Sequence, residues 1–214
     1  MENSNKDIYK VDEHNKIYII GGRGVGKTTL LYQIHSGKYD ESITPSEIGI
    51  IKSQYKTGKK EFTIKDLTDD DNFTITNVLK NELEDIILIF IIFAINDKDS
   101  FQHAKTLIQF IKNNLINNKE LNIILVGNKY DLEQDNPKEI QVQKKEIDQY
   151  IYNIDNLYYY QISCKNNYNI SKIKELIDEI EIEEEKDDED DDKIPEEERK
   201  QKVEEAKQKS CIVY

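Results

Sequence analysis

The stretch Gly21-Gly22-Arg23-Gly24-Val25-Gly26-Lys27-Thr28 directly follows an apolar segment at residues 17–20. A glycine, four residues and then Gly-Lys-Thr form the pattern of a phosphate-binding loop. Backbone amides of such a loop surround phosphates, the lysine neutralises their charge, and the threonine hydroxyl reaches magnesium. Thr29 opens a predicted helix over residues 29–36, whose N-terminus faces the same anion. The order of strand, loop and helix favours this interpretation over a simple glycine-rich turn.

Short runs rich in Ile, Leu and Val recur along the chain and predict the strands of a sheet. They occupy residues 17–20, 62–64, 86–93, 122–126 and, more weakly, 158–162. Segments with helical spacing between and after them cover residues 100–116, 138–151 and 170–182. This alternation predicts an α/β fold with a mostly parallel sheet. A predicted hairpin, with strands at 48–55 and 62–64, adds one antiparallel edge.

The negative charge of the chain is concentrated near its C-terminal end. The formal net charge is −13, and residues 181–198, with thirteen acidic residues and two lysines, contribute −11 of it. No segment is basic enough to favour nucleic-acid binding, and the acidic run would repel a phosphate backbone. The two cysteines are too few for a disulfide framework, and the polar N-terminus does not resemble a signal peptide, so a cytoplasmic location is expected. The longest apolar run, residues 86–95, is about half a membrane span and predicts a buried strand.

A second motif, Asn128-Lys129-Tyr130-Asp131, comes directly after the apolar segment at residues 123–127. A ligand is expected at the carboxyl end of such a strand. Asp131 can accept hydrogen bonds from N1–H and the exocyclic amine of guanine, which adenine cannot match, while the Lys129 stem can lie along the ring. Ser163-Cys164-Lys165 follows the last predicted strand. The Asp131 carboxylate therefore favours a guanine nucleotide over an adenine nucleotide.

Together, the motifs resemble those of the Ras-like small GTPases. The resemblance covers about residues 15–182, and residues 93–101 are most similar to the Ras and Rab branches. It implies a P-loop NTPase fold, in which helices flank a six-stranded, mostly parallel sheet. It also implies GTP or GDP as the bound nucleotide, with Mg²⁺.

The resemblance further implies roles for individual residues. Lys27 would bind the β- and γ-phosphates, Thr28 would hold magnesium, and Asp66 would be a carboxylate behind the direct metal ligands. Ser163 and Cys164 would present backbone amides to the guanine oxygen. The Cys164 thiol is not needed for this contact and is expected to be structural.

Two departures from the family pattern concern the phosphate loop and the first switch segment. The family usually has a small residue at the position of Arg23. A guanidinium there either blocks a partner's arginine finger, worth roughly 10³ to 10⁵ in rate, reaches the phosphates itself, or points outward. The magnesium-binding threonine of the first switch corresponds to Ser46, which keeps the hydroxyl. Because Glu47 is inserted beside it, Thr44 is a second candidate.

Two further departures follow Asp66. The glycine of the family's Asp-x-x-Gly motif is Asp69 here, and Asp70 stands where many relatives have the glutamine that orients the attacking water. A carboxylate about 4 Å from a phosphate charge would cost up to roughly 4 kcal/mol at an effective dielectric constant near 20. Alternatively, these aspartates form a solvated turn away from the nucleotide. Both interpretations predict slow hydrolysis. Arg23 and Asp70 occupy altered positions of the catalytic region, and we assign a catalytic role to neither.

The sequence predicts three parts: a flexible N-terminus at residues 1–14, a GTPase domain at 15–182, and an acidic tail at 183–214. The tail has too few apolar residues to offset chain entropy and is expected to be disordered. It ends in Cys211-Ile212-Val213-Tyr214, which matches a CaaX-like prenylation box, although tyrosine is an unusual final residue. A prenyl group on Cys211 would give reversible attachment to a membrane surface.

The leading functional hypothesis is a slow-hydrolysing GTP-binding switch in signalling or vesicle traffic. Such a protein would recruit effector and regulatory proteins at the cytoplasmic face of a membrane. The alternative is a non-hydrolysing interaction module that keeps a guanine nucleotide bound. An ATP-using P-loop enzyme is a third possibility, against which Asp131 argues.

Overall fold

One sheet of six strands runs through the described part of the computed structural model. Its strands are β1 Lys16–Gly21, β2 Gly49–Thr57, β3 Lys60–Thr68, β4 Ile86–Ala94, β5 Asn122–Asn128 and β6 Leu157–Gln161. They lie in the order β2-β3-β1-β4-β5-β6. The β2–β3 pair is antiparallel, and the other neighbouring pairs are parallel. The predicted mostly parallel sheet and its hairpin are therefore confirmed.

The structure describes residues 15–42, 49–58, 60–68, 72–114 and 121–181. The chain divides into two units, Met1–Ile180 and Glu181–Tyr214. In the second unit, Glu181 is the residue that the structure describes. The predicted disordered tail therefore lies outside the described residues, as does the predicted flexible N-terminus.

Helices connect and flank the strands. They are α1 Lys27–Ser36, α2 Asn72–Asn81, α3 Lys98–Asn114, α4 Leu132–Asp135, α5 Lys144–Tyr152 and α6 Ile170–Asp178, with 3-10 helices at Leu83–Asp85 and Pro137–Glu139. In the described residues, none of them is both long and apolar enough to cross a membrane.

The predicted helices at 29–36 and 100–116 begin two residues earlier, at Lys27 and Lys98, and two other predicted boundaries are wrong by more than two residues. The helix predicted at residues 138–151 begins at Lys144, because the Gln141 and Val142 amides both donate to the Ile95 carbonyl at 3.0 Å and break the helical pattern. The helix predicted at 170–182 ends at Asp178. There Lys60 Nζ donates to the Asp178 and Ile180 carbonyls at 2.8 and 2.7 Å, where the helix has no further amides to satisfy them.

The long apolar run is the central strand β4, as predicted. β4 lies between β1 and β5, and all but one of its nine residues are buried. A strand with helices on both faces of a parallel sheet buries both of its own faces, which explains the continuous run of Ile, Leu and Phe. β4 is therefore the buried centre of the sheet, and β1 and β5 are hydrogen-bonded to its two sides.

The register of the parallel strands brings the candidate site together at one edge of the sheet. Gly21 at the end of β1 pairs with Ile92, and Asn128 at the end of β5 pairs with Ala94. Asp66, near the end of β3, pairs with Ile19. The carboxyl ends of these strands meet at the edge where α/β sheets bind ligands.

Candidate nucleotide-binding site

The predicted phosphate-binding loop connects β1 to α1. Gly24 and Gly26 adopt positive φ angles of +69° and +99°, which glycine tolerates without a steric penalty. Helix α1 has no side-chain cap at Gly26, and its first turn contains no acidic residue. Its N-terminal amides and positive dipole end are therefore suited to a bound anion.

Lys27 is buried beneath this loop. Its Nζ donates a hydrogen bond to the Gly22 carbonyl at 2.8 Å. The ammonium group is thus held against the backbone that would surround the phosphates. Arg23, by contrast, is exposed at the tip of the loop, and each of its three predicted roles remains a hypothesis.

Thr28 and Asp66 form the candidate magnesium site. The Thr28 hydroxyl donates to Asp66 Oδ2 at 2.5 Å, and both residues are buried. A hydroxyl and a carboxylate are the hard oxygen donors that Mg²⁺ prefers, and Mg²⁺ takes its remaining ligands from phosphates and waters. The residues present therefore fit the ion. The third predicted ligand, Ser46, and its alternative Thr44 lie outside the described residues.

Asn128 links the phosphate loop to the predicted base-recognition segments, which are residues 128–131 and 163–165. Its Nδ2 donates to the Val25 carbonyl at 2.8 Å, and its Oδ1 accepts from the Cys164 amide at 3.1 Å. The Cys164 carbonyl in turn accepts from Gln33 Nε2 in α1 at 2.7 Å. Sequence reasoning missed Gln33. Its position inside the predicted helix gave no signal, because its partner lies 131 residues away.

Asp131 is oriented by the segment that follows β6. Its Oδ1 accepts from the Ser163 hydroxyl at 2.6 Å, and its Oδ2 lies 3.9 Å from Lys165 Nζ. Asp131 is buried, while Lys165 is exposed. Lys129, directly after Asn128 in the predicted base-recognition segment, adopts a left-handed backbone with φ of +69°. The Asp131 carboxylate thus sits in a fixed orientation at the predicted base site.

The two amides expected to reach the guanine oxygen have partners within the protein. The Ser163 amide donates to the Tyr168 carbonyl at 3.1 Å, and the Cys164 amide donates to Asn128. A guanine oxygen would have to share the Cys164 amide with Asn128 Oδ1 or take its place. Burial raises the pKa of the Cys164 thiol to about 12, so this side chain stays a neutral thiol at physiological pH.

The predicted γ-phosphate end of the site lies partly outside the described residues. Asp69 and Asp70, whose replacement of the usual residues predicts slow hydrolysis, lie outside the described residues. The described residues contain no cluster of three or more His, Cys, Asp or Glu suited to a metal.

Gly26→Ala is expected to lower the free energy of unfolding by about 2 kcal/mol. A Cβ at Gly26 would lie 2.2 Å from Asn128 Nδ2, the buried atom that donates to Val25. Gly24→Ala is the matched control, because a Cβ there meets no atom within 4 Å and should cost about 1 kcal/mol for its backbone conformation alone. Urea denaturation measures both variants. Equal losses would contradict a role for the Asn128 contact.

Comparison with known proteins extends the match beyond these motifs. Residues 16–182 match a family model described as Ras family, and this is more than half of the chain. The chain belongs to the Ras family. The matched residues of this Ras-like small GTPase include the phosphate-binding loop, the strand ends that form the site's edge of the sheet, and the Asp131 segment.

Individual relatives are distant from this Ras-family chain. It is 29% identical to Ras-related protein Rab-12 of Homo sapiens over 171 residues, which cover 77% of this chain and 66% of that protein. It is 30% identical to GTP-binding protein ypt1 of Schizosaccharomyces pombe over 162 residues, 73% of this chain and 74% of ypt1. Identity to GTPase RhebL1 of Mus musculus is 30% over 122 residues, 56% and 64% of the two chains. The match thus spans about two thirds of the length of Rab-12.

Proposed function

We propose that this protein is a switch that binds GTP and GDP with Mg²⁺ in signalling or vesicle traffic. The observation that carries the proposal is the Asn128 side chain, which joins the phosphate loop to the segment that orients Asp131. A phosphate-binding loop and a guanine-selective carboxylate lie at the same edge of the sheet, and this arrangement suits a single guanine nucleotide. The similarity to Rab-12, to the GTP-binding protein ypt1 and to the GTPase RhebL1 supports this class of protein.

Each described site residue has a role in the proposal. Lys27 would leave the Gly22 carbonyl to neutralise the β- and γ-phosphates, and the α1 amides would bind the phosphate oxygens. Thr28 would bind magnesium and Asp66 would hold the metal's hydration shell. Bound magnesium would supply positive charge against the phosphates, while Asp131 selects guanine.

We further propose that intrinsic GTP hydrolysis is slow. The sequence places aspartates at positions 69 and 70, where the family pattern has the glycine whose amide approaches the γ-phosphate and the glutamine that orients the attacking water. The same substitutions favour a second candidate function, a GDP-bound interaction module that does not hydrolyse GTP. Carboxylates facing the γ-phosphate would weaken GTP binding relative to GDP.

Affinity and turnover measurements on the purified full chain test both functions. The switch requires tight binding of GTP and GDP, no comparable binding of ATP, and slow but measurable single-turnover hydrolysis. Tight GDP binding with weak GTP binding and no turnover would favour the module, and Asp69→Gly should then restore the GTP-to-GDP affinity ratio. Failure to bind either guanine nucleotide would contradict both functions.

Effector and regulatory partners and membrane attachment belong to the same proposal. Members of a switch family act by presenting different surfaces in two nucleotide states. The cysteine at position 211 would carry a prenyl group, and it lies outside the described residues. We accordingly propose the cytoplasmic face of a membrane as the site of action.

A further inference from the structure

Two tyrosines form an aromatic pair beside the base-recognition segments. The Tyr130 and Tyr168 ring centroids lie 4.7 Å apart at an interplanar angle of 36°. Tyr130 is the third residue of Asn-Lys-Tyr-Asp, and Tyr168 follows Ser163-Cys164-Lys165 by three residues. The pair therefore connects the segment that contains Asp131 to the segment that contains Ser163.

Tyr130 is the anchored member of the pair. It is partly buried and packs against the hydrophobic core cluster, and its amide donates to the Ile162 carbonyl at 3.1 Å. Tyr168 is 43% exposed and belongs to the loop between β6 and α6. The ring contact thus ties a surface loop to the core.

Tyr168 also closes the turn that holds Ser163. Ser163 and Tyr168 exchange two backbone hydrogen bonds of 3.1 Å, and the Asn166 amide donates to the Ser163 hydroxyl oxygen at 3.3 Å. Asn167 and Asn169 within and after the turn adopt left-handed φ angles of +63° and +57°. Asparagine adopts this backbone more readily than other residues with a side chain, so the sequence itself favours the turn that these hydrogen bonds close.

The Ser163 side chain connects this turn to Asp131. Its hydroxyl donates to Asp131 Oδ1 at 2.6 Å and is buried. If the turn loosens, the Ser163 hydroxyl moves, and the carboxylate loses the bond that sets its orientation. Guanine recognition needs both carboxylate oxygens aligned with N1–H and the exocyclic amine.

We propose that Tyr168 is a positioning residue for guanine selectivity, acting through its ring contact with Tyr130 and through Ser163 on Asp131. This inference rests on the proposed guanine-nucleotide binding. Tyr168 need not touch the nucleotide. It affects how accurately the Asp131 carboxylate is oriented toward the exocyclic amine of guanine.

Inosine diphosphate separates positioning from general stability. IDP keeps N1–H but lacks the exocyclic amine, so the GDP-to-IDP affinity ratio reports the contact that a well-oriented Asp131 makes with the amine. Tyr168→Ala is expected to lower this ratio by about 3- to 10-fold, which corresponds to the value of an aromatic pair. Tyr168→Phe keeps the ring and is expected to retain the wild-type ratio.

The experiment measures GDP and IDP affinities of the full chain with Mg²⁺ by isothermal titration. Tyr152→Ala is the matched control, because Tyr152 is 90% exposed and lies at the end of α5, before β6 begins. It should leave the ratio unchanged. If Tyr168→Ala does not fold, Tyr168→Leu replaces it, since leucine keeps apolar bulk without the ring.

The outcomes distinguish this inference from the proposed function. Wild-type preference for GDP that falls in Tyr168→Ala and is retained in Tyr168→Phe supports the inference. Equal weakening of GDP and IDP in Tyr168→Ala, or an unchanged ratio in Tyr168→Leu where that variant is used, overturns it and leaves guanine binding intact. A wild-type protein without preference for GDP over IDP overturns this inference and the role of Asp131 in selecting guanine, whereas failure to bind GDP at all overturns the proposed function.

Discussion

Asp131→Asn is expected to weaken GDP binding by roughly 100- to 1,000-fold. The carboxylate is buried, and the Ser163 hydroxyl already occupies one side of Oδ1. In the proposed complex guanine would present two donors, N1–H and the exocyclic amine, and the carboxylate would accept both. An asparagine amide has one acceptor oxygen and one donor group. A donor would then face the guanine amine and leave it without an acceptor inside the site.

The same substitution is expected to favour xanthine. XDP has a carbonyl where guanine has its amine, and the asparagine amide can donate to that carbonyl. Asp135→Asn is the matched control, because Asp135 is exposed but also lies 3.4 Å from Lys165 Nζ. It should leave nucleotide selectivity unchanged. Titration with GDP and XDP measures the effect, and an Asp131→Asn protein that still prefers GDP would contradict the guanine assignment.

Much of the candidate site could be predicted because its chemistry is local in sequence. Eight consecutive residues specify the phosphate loop, and four specify the base segment, each directly after a buried strand. The Asn128 contacts to Val25 and Cys164 could not be predicted in the same way. They span 103 and 36 residues and depend on strand register.

Helix α2 was not predicted, and its composition explains why. Its sequence, Asn72–Asn81, contains two threonines, an isoleucine and a valine, whose branched side chains lower helix propensity. Ile75 and Leu79 lie four residues apart and are fully buried in the core. Tertiary packing of this apolar face, rather than intrinsic propensity, therefore stabilises the helix.

A largely buried network of charged side chains attaches the segment after α2 to the sheet. This network could not be predicted from the sequence. Lys65 Nζ is buried 2.6 Å from Glu82 Oε2, and the Tyr18 hydroxyl donates to the same oxygen at 2.5 Å. Lys16 Nζ lies 3.4 Å from that oxygen. Lys65 directly precedes Asp66 in β3, and Glu82 directly follows α2. The network thus joins the strand with the candidate magnesium carboxylate to the end of α2.

Glu82→Gln is expected to lower the free energy of unfolding at pH 7 by about 3 kcal/mol, because buried Lys65 loses its carboxylate partner. Adding Lys65→Met should recover most of the loss by removing the buried charge. Glu61→Gln is the control. Its pair with Lys56 is 2.9 Å long but exposed, so the change should stay within about 0.5 kcal/mol. Urea denaturation tests this, and similar losses for Glu61→Gln and Glu82→Gln would contradict the network's role.

The same stabilisation should depend on pH in a defined window. Burial alone would raise the pKa of Glu82, but hydrogen bonds from Lys65 and Tyr18 and the charges of Lys65 and Lys16 outweigh burial and hold that pKa below its ordinary value of 4.5. A carboxyl with a lowered folded-state pKa stabilises fully above its ordinary pKa and loses that contribution as pH falls through the folded value. The stability difference between wild type and Glu82→Gln should therefore be constant from about pH 6 to 8 and shrink below about pH 4.5. A difference that persists unchanged to about pH 2, well below the ordinary carboxyl pKa, would exclude the Glu82 charge as its source.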